Sequence, residues 1–213
     1  TTLIVGLLSQ ENRKLFNSLI FINATGKIDF KYDKIHLVPF GEYIPFRNKL
    51  KKIANFLSPR DFSTGVMKEN IKLRGFGEII TLICYEILFS NEVNRRISDN
   101  TKLIINITND AWFGNTIGPY QHLALAKIRA VETGLPLVRV ANTGISAFIS
   151  PYGEEIVKIS LNKESVREVK LIPPLDQTLY KNFGDLIFAI SILYLISINF
   201  LIFYFQRKVS YVK

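Results

Sequence analysis

Residues 186–205, LIFAISILYLISINFLIFYF, run for twenty positions without a charged side chain, and this stretch constrains the fold more than any other. As a helix rising 1.5 Å per residue it would measure about 30 Å, the thickness of a bilayer's hydrocarbon core. A membrane-spanning helix is the expectation; the alternative is a long helix buried in a soluble core. Ser191, Ser197 and Asn199 are its only clearly polar members, spaced to permit a polar stripe against neighbouring helices. Gln206, Arg207, Lys208 and Lys213 follow at once, and the positive-inside tendency puts this short basic tail, residues 206–213, in the cytoplasm. Residues 1–175 are then expected on the far side of the membrane, with 176–185 as a linker, although Lys181 weighs slightly against that orientation.

The rest of the chain suffices for one core: 48% of the 213 residues are hydrophobic and 21% are charged. Lysine and arginine outnumber aspartate and glutamate by 27 to 18. Beside a span, that surplus fits attraction to anionic lipid headgroups. Nucleic acid is not expected as a partner, because Lys31, Lys49, Lys51, Lys52, Lys68 and Lys72 are scattered without a recognition motif. His36 and His122 lie far apart and lack metal-ligand spacing, so a metal site is not expected. The lone cysteine excludes an intrachain disulfide.

That cysteine, Cys84, ends the apolar run of IITLICYEI, where Tyr85 and Glu86 follow a buried strand. A sulfur at a strand end is held by the sheet and can face a cleft, which suits a nucleophile. It can equally be a small buried hydrophobe. The strand pattern begins with Leu3–Leu8 and Leu15–Ile22 as a hairpin, followed by KIDFKYD, in which Ile28, Phe30 and Tyr32 share one face. Lys34 falls on that apolar face, so it is either exposed at an edge or held by a partner. Pro39, Gly41 and Pro45 then hold Glu42 in a loop.

Further on, the pattern predicts an amphipathic helix over 48–57, strands over 71–76 and 79–84, and a helix over 89–98. A strand over 103–107 and a loop with Trp112 follow. Pro119 and Gly134 bracket a helix over 120–133, and strands are expected over 137–141, 145–149, 156–159 and 166–172. Helices that follow strands favour a layered α/β domain over a sandwich of sheets alone. The chain opens on TTLIVGLL, in what reads as a strand already under way, so the domain is expected to be incomplete at its start.

Three strings, YDKIHLVPFGEYIP, LICYEI and NITNDAWFG, resemble in order and content the carbon-nitrogen hydrolase (nitrilase) superfamily, in particular its membrane-bound lipoprotein N-acyltransferases. The resemblance covers nearly all of the chain. It implies an αββα sandwich, incomplete at its N-terminal side, on the periplasmic side of a bacterial inner membrane, followed by one transmembrane helix. It implies Cys84 as nucleophile, Lys34 as the lysine of a Glu, Lys, Cys triad, and Glu42 as an additional active-site glutamate. Tyr85, Glu86, Trp112 and Phe113 are expected to bind substrate or support the site, Trp112 on a mobile lid. The triad's own glutamate belongs to a segment upstream of the first strand here, so the chain alone is expected to be weak or inactive.

The implied reaction passes an acyl chain from a phospholipid to Cys84 and on to the α-amine of an apolipoprotein's diacylglyceryl-cysteine, with no metal or organic cofactor. Two residue-level alternatives stay open: Glu86 as a solvated strand-end carboxylate, and Trp112 as a packed aromatic. Two functional alternatives do as well. One is a non-catalytic, membrane-tethered remnant or half-protein that needs an upstream partner chain; the other is a tail-anchored amidase.

Overall fold

In chain order the strands are β1 Leu3–Glu11, β2 Lys14–Ile22, β3 Ile28–Asp33, β4 Ile71–Leu73, β5 Gly77–Ile83, β6 Thr101–Asn109, β7 Leu137–Asn142, β8 Ser146–Ile149 and β9 Glu155–Ile159. The helices are α1 Ser90–Arg95, α2 Gly118–Thr133, α3 Leu179–Phe183 and α4 Leu186–Ser210. This computed structural model describes residues 1–47, 49, 60–66, 69–73 and 75–210, with backbone only at 205 and 207–210. The helix expected over 48–57 lies outside the described residues.

β1 and β2 form the expected hairpin, longer than the sequence pattern suggested, around a two-residue turn. Asn12 and Arg13 both take positive φ there (49° and 65°), the geometry whose twist matches that of the strands it joins. β3 adds antiparallel to β2, which completes a three-stranded sheet. The other six strands form a second sheet in the order β4-β5-β6-β7-β8-β9. Its centre, β5-β6-β7, is parallel, and antiparallel arms flank it. Parallel neighbours need crossovers, which α1 and α2 supply on one face of the sheet.

Strand alternation divides the apolar residues into two cores. Ile79 and Ile83 of β5 face the small sheet, where they pack with Leu19, Phe21, Tyr32, Leu103 and Ile105. Ile80 and Leu82 point the other way, onto Leu123, Ala126 and Ala130 of α2 and Val93 of α1. Among the described residues the layers are therefore sheet, sheet and helix, a layered α/β domain as the strand and helix pattern predicted. Pro119 opens α2 and Gly134 closes it at φ 68°, as the bracketing residues predicted.

Two expectations need correction. Residues 166–172 are not a strand: they run without ladder hydrogen bonds, and Val166 is almost fully exposed. The segment lies beside β9 across an open groove lined by Ile156, Val157 and residues 168–173, so its backbone gains no ladder from its apolar pattern. The helix expected over 89–98 is shorter, and a 3-10 turn, Cys84–Leu88, precedes it.

α4 contains the long apolar run: Leu186–Tyr204 has a mean hydropathy of 2.6, and none of it is buried inside the structure. By length and composition it can cross a membrane. The hydroxyls of Ser191 and Ser197 and the amide of Asn199 each donate to the carbonyl four residues earlier, at 2.8 Å. Their donors are thus satisfied inside the helix. The segment before α4 is bonded to the domain. Leu175 N–H donates to Gly134 O at 2.8 Å, Thr178 Oγ1 to Glu132 O at 2.5 Å, Asn94 Nδ2 to Lys181 O at 3.3 Å, and Asn91 Nδ2 to Asp185 Oδ2 at 2.6 Å.

Candidate active site

β5, β6 and β7 run parallel and end at Ile83, Asn109 and Asn142, along one edge of the sheet. Loops at the carboxyl ends of parallel strands commonly form ligand crevices. Cys84 is the first residue past β5 and turns the chain into the 3-10 turn with φ 53°. A side chain in this left-handed region costs about 1–2 kcal/mol, so packing and hydrogen bonds must hold it there. The bend leaves the thiol half-buried at the margin of the core between the two sheets.

Glu86, two residues on, supplies one such hold. Its carboxylate is 2% exposed and accepts four donors. Oε2 takes Ile83 N–H at 2.8 Å; Oε1 takes Ile35 N–H at 2.7 Å and His36 N–H at 3.2 Å; the Tyr32 hydroxyl sits 3.0 Å from both oxygens. One side chain therefore joins the backbone just before Cys84 to the backbone just after Lys34. Burial pushes the Glu86 carboxyl above its usual range, against the four donors that favour the anion. Burial also pushes the Tyr32 hydroxyl well up, with the Glu86 charge adding to the rise. The open question at Glu86 thus resolves to a buried brace rather than a solvated carboxylate.

Lys34 is 1% exposed, and Nζ lies 2.6 Å from Glu42 Oε2. The apolar face of β3 carries it inward, two residues beyond Tyr32, and the buried ammonium finds its counter-ion in the loop that Pro39 and Gly41 shape. Glu42 is also fixed by Asn17 Nδ2 at 3.1 Å and Val38 N–H at 2.7 Å. His36 is fixed from both sides: its ring stacks on Phe89, and Nε2 lies 2.5 Å from Glu92 of α1.

Of the remaining candidates, Tyr85 packs edge-on against Phe89 at 5.2 Å. Trp112 and Phe113 lie on a second 3-10 turn, Asp110–Phe113, directly after β6 and so at the same sheet edge as Cys84. Trp112 is 73% exposed, so it is not a packed aromatic. Phe113 is half-covered, its ring edge-on to His122 at 5.9 Å and so close to Gly118 that a Cβ there would sit 2.6 Å from it.

The sequence reading missed a buried polar cluster behind the elbow: Asn106, Asp110, His122 and Arg139. A polar residue inside an apolar strand, as Asn106 is in LIINI and Arg139 in LVRVA, signals a buried partner but does not name it. Among the described residues no cluster of histidine, cysteine and carboxylates could hold a metal ion.

The carbon-nitrogen hydrolase family model matches residues 1–175. The apolipoprotein N-acyltransferase of Rhodopseudomonas palustris is 41% identical over 183 residues, which cover 84% of this chain and 34% of that protein. The enzyme of the same name from Rhizobium leguminosarum bv. trifolii is 48% identical over 153 residues, 70% of this chain and 28% of its own length. That of Rickettsia prowazekii is 38% identical over 201 residues, 89% and 38%. The chain thus spans about a third of the length of these relatives. Among solved structures, a carbon-nitrogen hydrolase from Helicobacter pylori superposes with a TM-score of 0.57 at 18% identity, covering 77% of this chain and 59% of that one. An amidase from Nesterenkonia sp. gives 0.56 at 18% identity, covering 75% and 57%. At that identity the likeness concerns the fold alone.

Proposed function

The chain belongs to the carbon-nitrogen hydrolase family, and from that premise we propose that it carries the acyl-transfer chemistry of a lipoprotein N-acyltransferase. One observation carries the reading: Glu86 ties the Lys34 loop to the Cys84 elbow, so the backbone just after the lysine and the backbone just before the cysteine are braced to one carboxylate. Cys84 Sγ attacks the ester carbonyl of a phospholipid. The C–O bond to the glycerol oxygen breaks, the lysophospholipid leaves with a proton, and a thioester remains. The α-amine of an apolipoprotein's diacylglyceryl-cysteine then attacks the thioester; the C–S bond breaks, the amide forms and the thiol is restored. Lys34 and the Tyr85 N–H stabilise the oxyanion of both tetrahedral intermediates, where loss of one donor costs about 3 kcal/mol.

Glu42 orients Lys34 through the 2.6 Å ion pair. Deprotonation of the thiol needs a general base, a role that suits neither Glu42 nor Glu86, since each already holds other groups. The exposed Trp112, with Phe113 beside it, faces the acyl chain. α4 anchors residues 1–175 at the periplasmic face of the inner membrane, with 176–185 as the connection and 206–213 in the cytoplasm, which keeps both lipid substrates within reach of Cys84.

The test is to incubate the full chain, alone and with an upstream segment of its relatives, with acyl-labelled phosphatidylethanolamine in vesicles. A hydroxylamine-labile label on the Cys84 peptide is expected. Label only elsewhere, or acyl transfer retained by Cys84→Ala, refutes the scheme; hydrolysis of small amides without lipid labelling marks an amidase.

A further inference from the structure

Arg139 is almost wholly buried in β7, and its guanidinium forks. Nη1 donates to Asn106 Oδ1 at 2.6 Å and Nη2 to Asp110 Oδ2 at 2.7 Å. The Asn106 amide nitrogen in turn donates to Cys84 O at 3.2 Å and Leu82 O at 3.4 Å, the two carbonyls that flank the bend into the left-handed elbow. Asp110 is the first residue of the turn that presents Trp112, and Thr108 Oγ1 and His122 Nδ1 also hold it, at 3.0 and 2.9 Å. A Cβ at Gly144 would lie 2.5 Å from Asp110 Oδ2, so the β7–β8 turn closes the cluster without slack.

We propose that Arg139 is a positioning residue that locks the Cys84 elbow and the Trp112 turn to each other, one arm of its guanidinium acting through Asn106 and the other through Asp110. The proposal deepens the reading above and rests on Cys84 as the nucleophile. A bidentate fork suits this task because its two donors have a fixed spread, which a lysine's single nitrogen does not reproduce. Asp110 balances the charge: burial alone would raise its carboxyl, but His122 and Arg139 hold it below its usual range. Burial lowers the Arg139 guanidinium itself, against the Asp110 charge.

The chain holds one cysteine and one tryptophan, so each end of the link can be read separately in the full chain in detergent. The variants are Arg139→Lys, which keeps the charge without the fork, and Arg139→Met with Asp110→Asn, which removes both charges together. The measurements are the rate and pH profile of Cys84 alkylation by iodoacetamide, followed by mass spectrometry, and the fluorescence anisotropy of Trp112, with a cooperative melt as the fold check. Both variants are expected to shift alkylation by roughly tenfold or more and to lower the anisotropy, without rescue by lysine. A cooperatively melting variant in which either readout keeps its wild-type value overturns the proposal, as does lysine restoring both.

In the unsubstituted chain the link must work in reverse, so methylthiolation of Cys84 should shift the Trp112 anisotropy. No shift there also overturns it, whatever the folding of the variants. Neither readout involves acyl transfer, so failure of the nucleophile assignment would appear separately, as an active Cys84→Ala.

Discussion

Glu86→Gln tests the brace at the centre of the site. A glutamine keeps one carbonyl oxygen, which can still accept from Ile35 and His36, but its NH₂ then faces the Ile83 N–H in place of Oε2. An orphaned buried N–H costs about 1–3 kcal/mol, and the remaining bonds lose their charge assistance, about 1 kcal/mol each. Burial opposes the ionised carboxyl, so removing the charge returns part of this cost, and the net loss should be about 2–3 kcal/mol. For a domain of this size that lowers Tm by roughly 4–12 °C. Tyr32→Phe removes one donor and leaves three, so it should cost only about 1 kcal/mol. The thermal melt should be paired with single-turnover acylation of Cys84, which should fall by roughly 10- to 100-fold as the Lys34 loop drifts from the elbow. A Glu86→Gln variant that melts within about 2 °C of the parent and acylates at the parental rate would refute the reasoning.

Glu42→Gln leaves the Lys34 ammonium buried without a counter-ion and should destabilise by about 3–5 kcal/mol, whereas Glu42→Gln with Lys34→Met should recover most of that in a urea melt yet stay inactive. His122 and Arg139 outweigh burial and hold the Asp110 carboxyl below its ordinary value of about 3.8, so it binds fewer protons folded than unfolded near that pH. Its contribution is therefore full above about 3.8 and is lost as pH falls through the folded value. Asp110→Asn should flatten this acid limb in pH-dependent melts; an unchanged limb assigns acid unfolding to other groups.

Local pattern showed most of the strands, because each apolar face is written two residues apart in its own segment. Lys34 was legible as an anomaly, a cation on the apolar face beyond Tyr32, and its partner lay eight residues on, within the same quoted string. The positive φ of Cys84 and the shortening of the helix after it were not legible, since Glu86, Asn106 and the Ile35 backbone impose them from three separate segments. The opposite failure occurred at 166–172, where a strand was expected but the backbone makes no ladder hydrogen bonds with the described residues. Arg139 showed only that some acceptor had to exist; tertiary structure alone identifies Asn106 and Asp110.

The bonds from Leu175, Thr178, Lys181 and Asp185 back to the domain make the stretch before α4 a bracket rather than a leash. A catalytic head on a slack tether would tumble and meet its substrates at every angle and distance. With residues 175–185 held to the domain, and α4 anchored in a membrane as proposed, the height of the thiol above the bilayer is set by the length of this stretch. If the acyl donor is a membrane lipid, as proposed, encounter then becomes a search in two dimensions, and lengthening this stretch by a few glycines should slow acylation of Cys84 without touching any residue of the site.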